Sequence, residues 1–217
     1  MAPRAALFDM DRTLVRLDTA TLYVRWQRDR GEAGARDALR VAWWLLQYTL
    51  GIIDAPRVAE RALVAFAGKE EARIVAECEE WFERYVLAHV AEAGREAVRR
   101  HRAEGELTAI VTGATPYAAR PLARELGIDH VVCTQLEVEE GRLTGRVSGP
   151  LCYGAGKIEL AERLARETGF SLDDACFYTD SITDLPLLER VKTPIVVNPD
   201  GRLRRLAKRR GWRVERW

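Results

Sequence analysis

The chain is poor in the residue types that build metal clusters and covalent frameworks. Its 217 residues include four cysteines and three histidines. Cys78, Cys133, Cys152 and Cys176 are scattered, with no C-x-x-C pair and no histidine cluster beside them. Neither a zinc site nor a disulfide framework is expected, and reduced thiols fit the cytoplasm. A dominant charge of one sign is missing too: Lys and Arg number 34 against 33 Asp and Glu, a net charge of +1. That balance gives no global attraction to nucleic acid or acidic membranes. A long hydrophobic run is also absent. The most apolar stretch, Val41 to Ile53, carries Trp43 and Trp44 but spans about 13 residues, short of the roughly 20 that cross a bilayer. Such a stretch makes either a buried helix or an interfacial or dimer-forming patch, since tryptophan is favoured at both kinds of boundary. The first residues run straight into an apolar strand signal, leaving no room for a secretory leader. What remains is an ordinary globular composition, 47% hydrophobic and 31% charged. Its size suits one substantial domain, or a core with a small insert.

Two textures alternate along the chain. Residues 5–8 (Ala5-Ala6-Leu7-Phe8) read as a short buried strand. From about residue 19 to 104 only helical spacing is visible, with Leu22, Trp26, Leu39, Trp43, Leu63, Phe66, Ile74, Trp81 and Tyr85 recurring at three- and four-residue steps. Breaks at Gly31 to Gly34, Gly51 to Pro56 and Gly68 divide this block into about four helices. From residue 107 strands and helices alternate. Leu107 to Val111, His130 to Cys133, Cys176 to Tyr178 and a final Pro194 to Val197 read as strands. Pro116 to Leu126, Lys157 to Thr168 and Leu185 to Arg190 read as helices, and residues 135–147 as a hairpin around Glu139-Glu140-Gly141-Arg142. The pattern predicts an α/β fold, a doubly wound parallel (Rossmann-like) sheet interrupted by an all-helical cap domain. The expected domains are residues 1–16 with 105–217 for the core, and 17–104 for the cap and its linker.

Ligands of such sheets bind beyond the carboxyl ends of the strands, and those ends carry a coherent set. After the first strand come Asp9 and Asp11, carboxylates close enough to repel, a repulsion a divalent cation would relieve. After Ile110-Val111 come Thr112 and Gly113, a hydroxyl and a backbone N–H that can approach a phosphate closely. Gly154-Ala155-Gly156-Lys157 opens a helix and brings a positive charge, though its spacing is not that of a Walker loop. After Phe177-Tyr178 come Asp180 and Asp184, hard oxygen ligands suited to magnesium. Phosphoryl transfer requires donors, a cation and a nucleophile. Each segment alone has a plain reading as a turn or a helix cap; together they describe a phosphate site.

In these residues the chain resembles the haloacid dehalogenase superfamily, and within it the phosphoserine-phosphatase-like branch. The superfamily's D-x-D-x-[TV] motif is met by Asp9, Asp11 and Thr13, its strand-ending Ser or Thr by Thr112, its lysine by Lys157, and its acidic pair by Asp180 and Asp184. The placement of the helical block between first and second motifs is also that of the branch. The resemblance implies a magnesium-dependent phosphatase acting on a small phosphomonoester. Asp9 would be the nucleophile, forming an aspartyl-phosphate, and Asp11 the acid and base. Thr112 and Lys157 would hold the phosphoryl oxygens, with Gly113 beside them. The metal set would comprise Asp9, the Asp11 carbonyl, Asp180, and Asp184 through water. The chain departs from the branch at Arg12, where Gly, Asn or Ser is commoner, and at Ser181 and Thr183, which replace Gly and Asn.

Substrate choice is less legible. Asp18 stands where phosphoserine phosphatases keep a Glu facing the substrate amine; it either contacts an amino-bearing substrate, such as histidinol phosphate or phosphoserine, or caps the helix near Thr19. Arg12 either adds an anion contact or points to solvent, and Ser181 lies beside the expected phosphate site. A lipid phosphate, or transfer of the group to a second alcohol, is the alternative activity. Arg202, Arg204, Arg205, Lys208, Arg209, Arg210, Arg213 and Arg216 crowd the tail. They form either a solvated helix face packing Leu203, Leu206 and Trp212 inward, or a non-catalytic contact with nucleic acid or a membrane surface. The expected partner is a small phosphorylated substrate, on a monomer or a homodimer.

Overall fold

A computed structural model describes residues 4–31 and 63–217. The core is a six-stranded parallel sheet of β1 (Ala5–Phe8), β2 (Leu107–Thr112), β3 (His130–Cys133), β6 (Cys176–Thr179), β7 (Thr193–Val197) and β8 (Arg213–Glu215), in the order β3-β2-β1-β6-β7-β8. The remaining strands, β4 (Leu136–Glu139) and β5 (Arg142–Val147), form a separate antiparallel hairpin. Alternation along the core strands feeds two apolar layers. Ala6, Phe8, Ile110, Tyr178 and Ile195 face one side, and Ala5, Leu7, Val111, Phe177 and Val196 the other. Both faces are covered, which is why β1 reads as an unbroken apolar run. The second layer is closed by the core helices α5 (Ala155–Thr168), α6 (Leu185–Arg190) and α7 (Gly201–Arg210), through Leu160, Leu164, Leu187 and Leu203. The chain winds outward from β1 through β2 and β3, then outward the other way from β6. The reversal between β1 and β6 opens a crevice at their carboxyl ends.

Between β1 and β2 the chain is helical where it is described. α1 (Thr19–Asp29) starts at Asp18 and buries Leu22 and Trp26. α2 (Glu71–Trp81) buries Ile74, Cys78 and Trp81 and runs on into a π-turn at Phe82–Val86. The Tyr23 ring lies 5.3 Å from that of Trp26 and 5.7 Å from that of Trp81, joining the two helices. α3 (Glu92–Ala103) lies on the sheet, with His101 edge-on to Phe8 at 5.9 Å. α4 (Pro116–Leu126) completes that layer. The Trp43-Trp44 stretch lies outside the described residues. Among those described, no helix is long and apolar enough to cross a membrane.

The hairpin turn places Glu140 and Gly141 at φ 49° and 74°, the left-handed pair that tight hairpins favour. Its strands grip the insert: Gly68 N–H donates to the Leu143 carbonyl at 2.8 Å, Leu143 N–H to Lys69 at 2.9 Å, and Glu71 N–H to Gly141 at 2.9 Å. Arg142 adds contacts to the Gly68 carbonyl and the Glu70 carboxylate, at 2.9 and 2.8 Å.

One expectation fails at the tail. β7 is not the last strand; β8 pairs beyond it in parallel register, Val196 opposite Val214. Three residues, two of them charged, carry no alternation for a strand reading to detect. In α7, Leu203 and Ala207 are buried and Leu206 is half-buried, while Trp212, just past the helix, is half-buried and packs against the same layer.

Candidate active site

The site is built where β1 and β6 end side by side. Asp9 leaves β1 with its N–H held by the Tyr178 carbonyl of β6 at 2.8 Å, and its side chain meets Lys157. The Lys157 ammonium lies 2.7 Å from Asp9 Oδ1 and 2.7 Å from Asp184 Oδ2. Thr179 Oγ1 donates to the same Asp184 oxygen at 2.7 Å. Lys157 can reach so deep because it sits in the first turn of α5, and that turn depends on Gly156, where a Cβ would overlap the Leu151 carbonyl oxygen. All three charged groups are buried. Burial works against the Lys157 ammonium, but Asp184 and Asp9 outweigh it and hold the group above the ordinary lysine range.

The other acids gather around this ion pair. Burial raises the Asp9 carboxyl to about 6, opposed by Lys157 and assisted by Asp184. Asp11 is pushed up to about 7 by burial and then by the charges of Asp18 and Asp9; its Oδ1 accepts the Thr19 N–H of α1 at 2.7 Å. Asp180 is pushed up to about 8 by burial, then by Asp9 and Asp184, with Arg12 opposing. Four aspartates share one lysine, so the pocket holds excess negative charge presented by hard oxygen donors, a set that suits magnesium.

Among the described residues, the only trio of His, Cys, Asp or Glu with donor atoms within 4.8 Å of one another is His101, Glu104 and Glu106. It sits beside the strand starts at Ala5 and Cys176, and two of its members are engaged: His101 bonds Glu106 at 2.6 Å and Tyr178 at 2.8 Å, and Arg4 pairs with Glu106 at 3.0 Å. The strand-end aspartates therefore form no three-carboxylate cage. An ion that keeps several waters and takes one or two carboxylates fits them better than one requiring a closed shell.

The remaining expected residues fall at the same end of the sheet with varied engagement. Thr112 ends β2, and its Oγ1 accepts the Ala114 N–H at 3.2 Å. Gly113 lies beside the Cys152 carbonyl. Asp18 acts as the N-cap of α1, taking the Thr21 N–H at 3.2 Å. Ser181 turns its hydroxyl to Thr183, at 2.8 Å from Oγ1. Arg12 is exposed and left-handed at φ 54°, a conformation natural to the Gly or Asn commoner there and uncommon for arginine. Asp184 stands at the N-cap position of α6, with its Oδ2 taken by Lys157 and Thr179. Sequence reasoning gave Thr179 no role, and named Gly156 only as part of the loop that opens the helix. It also passed over the Asn198-Pro199-Asp200 turn, where Asp200 N–H reaches the Asp180 carbonyl at 3.2 Å. The turn composition of that tripeptide was the available signal.

A doubly wound sheet with paired aspartates, a buried lysine and an acidic loop at its switch point defines a hydrolase of one family. The chain belongs to the haloacid dehalogenase-like hydrolases, whose family model matches residues 6–189. It is 34% identical over 97% of its length to a phosphoserine phosphatase of Mycobacterium tuberculosis, covering 70% of that protein. It is 29% identical to a histidinol-phosphatase of Neisseria meningitidis, with 96% of each chain covered. A crystal structure of a protein of unknown function from Bordetella pertussis matches the fold with a TM-score of 0.90, at 33% identity over 99% of both chains.

Proposed function

We propose that the chain is a magnesium-dependent phosphomonoesterase acting through an aspartyl-phosphate on Asp9. The observation that carries this reading is the buried Lys157 ammonium, 2.7 Å from both Asp9 and Asp184, groups brought together from three distant segments. In the first step an Asp9 carboxylate oxygen forms a bond to phosphorus as the ester bond breaks, and Asp11 gives its proton to the departing alkoxide. In the second, water attacks the same phosphorus, Asp11 takes the water's proton, and Asp9 leaves with phosphate released. Burial suits Asp11 to this exchange, because a carboxyl held near 7 can be both acid and base near neutral pH. Thr112, the Gly113 N–H and Lys157 hold the phosphoryl oxygens, and Lys157 neutralises charge that grows in the transition state. Asp9, the Asp11 carbonyl and Asp180 would hold magnesium, with Asp184 orienting its waters, and the bound ion would supply positive charge to the phosphoryl group.

We take residues 17–104 as the cap and its linker, with α3 at the end of that segment packed on the core layer. The four described cysteines are free and buried, which agrees with a cytoplasmic setting. The names of the two relatives, together with Asp18 near Asp11, favour a small amino-alcohol phosphate such as phosphoserine or histidinol phosphate.

Purified protein given para-nitrophenyl phosphate with magnesium will release phosphate in step with substrate loss, the mark of hydrolysis as opposed to transfer. Asp9→Asn will lower turnover at least about 10³-fold while the fold remains. Equal rates from the two proteins would end the reading. Across a phosphomonoester panel, amino-bearing substrates will show the highest kcat/KM, and preference for a lipid phosphate would overturn the substrate assignment.

A further inference from the structure

Two non-glycine residues near the strand ends hold left-handed backbones, Arg12 at φ 54° and Asn198 at φ 43°. They are joined. Asn198 Nδ2 donates to the Arg12 carbonyl at 3.2 Å and to the Trp217 carbonyl at 3.3 Å, while Oδ1 accepts the Trp217 N–H at 3.0 Å. Its own N–H donates to the Glu215 carbonyl at 3.0 Å. The side-chain amide thus uses both of its ends, donating to two carbonyls and accepting from one amide. A carboxylate in its place would face two carbonyl oxygens with no proton to offer.

Two residues on, Asp200 grips the other acidic loop from both sides. Its N–H donates to the Asp180 carbonyl at 3.2 Å, and its Oδ2 accepts the Ile182 N–H at 3.3 Å. Its Oδ1 caps α7 through the Arg202 and Leu203 amides, at 2.7 and 2.8 Å, anchoring the turn to a core helix. Pro199 between them restricts the backbone. One turn after β7 therefore ties the loop bearing Asp9 and Asp11 to the loop bearing Asp180. Like charges on those two loops push them apart; the Asp9 N–H bond to the Tyr178 carbonyl ties the first loop to β6 at its start, and the Asn198 amide ties it again at Arg12.

We propose that Asn198 is a positioning residue for the catalytic aspartates. Its amide fixes the Arg12 carbonyl, and so sets the distance between the Asp9–Asp11 loop and the Asp180 loop before a cation arrives. The inference rests on the metal-dependent reading above. It accounts for the left-handed Arg12, whose backbone is held by its carbonyl while its side chain remains exposed.

The test is manganese binding, a spectroscopically visible stand-in for magnesium, measured by electron paramagnetic resonance on wild type, Asn198→Gly and Asn198→Asp. Glycine keeps the left-handed backbone and loses the amide. Aspartate keeps the shape, loses the donor and adds a negative charge, which by electrostatics alone would tighten cation binding. Groups that orient metal ligands cost about 10- to 100-fold in affinity when removed, so both variants will bind manganese at least about tenfold more weakly. The concentration of magnesium giving half-maximal turnover will rise in parallel, and kcat at saturating metal will change less. Circular dichroism checks that each variant is folded; should the glycine variant unfold, the aspartate variant decides. Binding within twofold of wild type in a folded variant, or tighter binding by Asn198→Asp, overturns the positioning role and leaves the phosphatase reading standing. Wild type that binds no manganese overturns both.

Discussion

Lys157 holds two carboxylates at 2.7 Å in a place where all three groups are buried, so its charge is structural before it is catalytic. Replacing it by methionine strands Asp9 and Asp184 as uncompensated neighbours, which costs about 3–5 kcal/mol. Urea denaturation will show that loss, and adding Asp184→Asn to Lys157→Met will recover part of it. A Lys157→Met protein as stable as wild type would show that the ion pair does not carry the stability assigned to it. At this scale much was legible in the sequence. Asp9, Asp11, Thr112, Asp180 and Asp184 announce themselves because short-range spacing places them past strand ends, and Lys157 because a glycine pair precedes it where a helix opens. Which of them touch was not legible, since the Lys157 contacts span 148 and 27 residues. Asp18 had two readings, and the structure engages it with the α1 backbone, while Ser181, expected beside the phosphate, bonds Thr183.

Elements carry these residues to their places, and two glycines limit how. Gly156 admits the Leu151 carbonyl at the start of α5, so Gly156→Ala must shift the turn that delivers Lys157. Turnover will fall about 10²-fold, the scale of loss for a displacement near 1 Å, with the far-ultraviolet circular dichroism unchanged; retained activity would mean the turn yields without moving Lys157. Gly145 in β5, at φ 81°, faces Ala67, whose Cβ would stand 3.0 Å from a new Cβ. Gly145→Val will push the hairpin off the insert, and hydrogen exchange at Gly68, Glu71 and Leu143 will quicken. Protection at those amides equal to wild type would place the grip elsewhere. The helices at Pro116 and Leu185 and the strand at His130 were readable because proline starts and apolar runs fix their ends. β8 was not, because an edge strand of Arg213, Val214 and Glu215 is held by pairing with β7 and has no apolar pattern of its own. The grip of the hairpin on the insert was hidden for a similar reason: it consists of backbone bonds.

For the whole molecule the acidic cluster sets a pH dependence. Asp9, Asp11 and Asp180 titrate at about 6, 7 and 8 in the folded chain against 3.8 for a free side chain. The metal-free fold therefore binds more protons than the unfolded chain between those values. Its stability from these groups is complete below about pH 4 and is lost as the pH rises through 6, 7 and 8. In a chelator, the melting temperature will fall from pH 5 to 8, and magnesium will restore most at the alkaline end, because a cation binds the ionised form. A melting temperature that rises with pH in the chelator would reverse the assigned directions. The doubly wound sheet was legible from strand–helix alternation. The convergence of four segments at its switch point follows from topology and is visible only once the strand order is known.

The most direct test of the account is to trap the covalent intermediate. Enzyme turning over para-nitrophenyl phosphate is quenched, reduced with borohydride, digested and mapped by mass spectrometry. An acyl-phosphate on Asp9 will appear as homoserine at position 9, and none will form in Asp9→Asn. Reduction at another aspartate, or steady turnover with position 9 never modified, would contradict the assignment of Asp9 as the nucleophile.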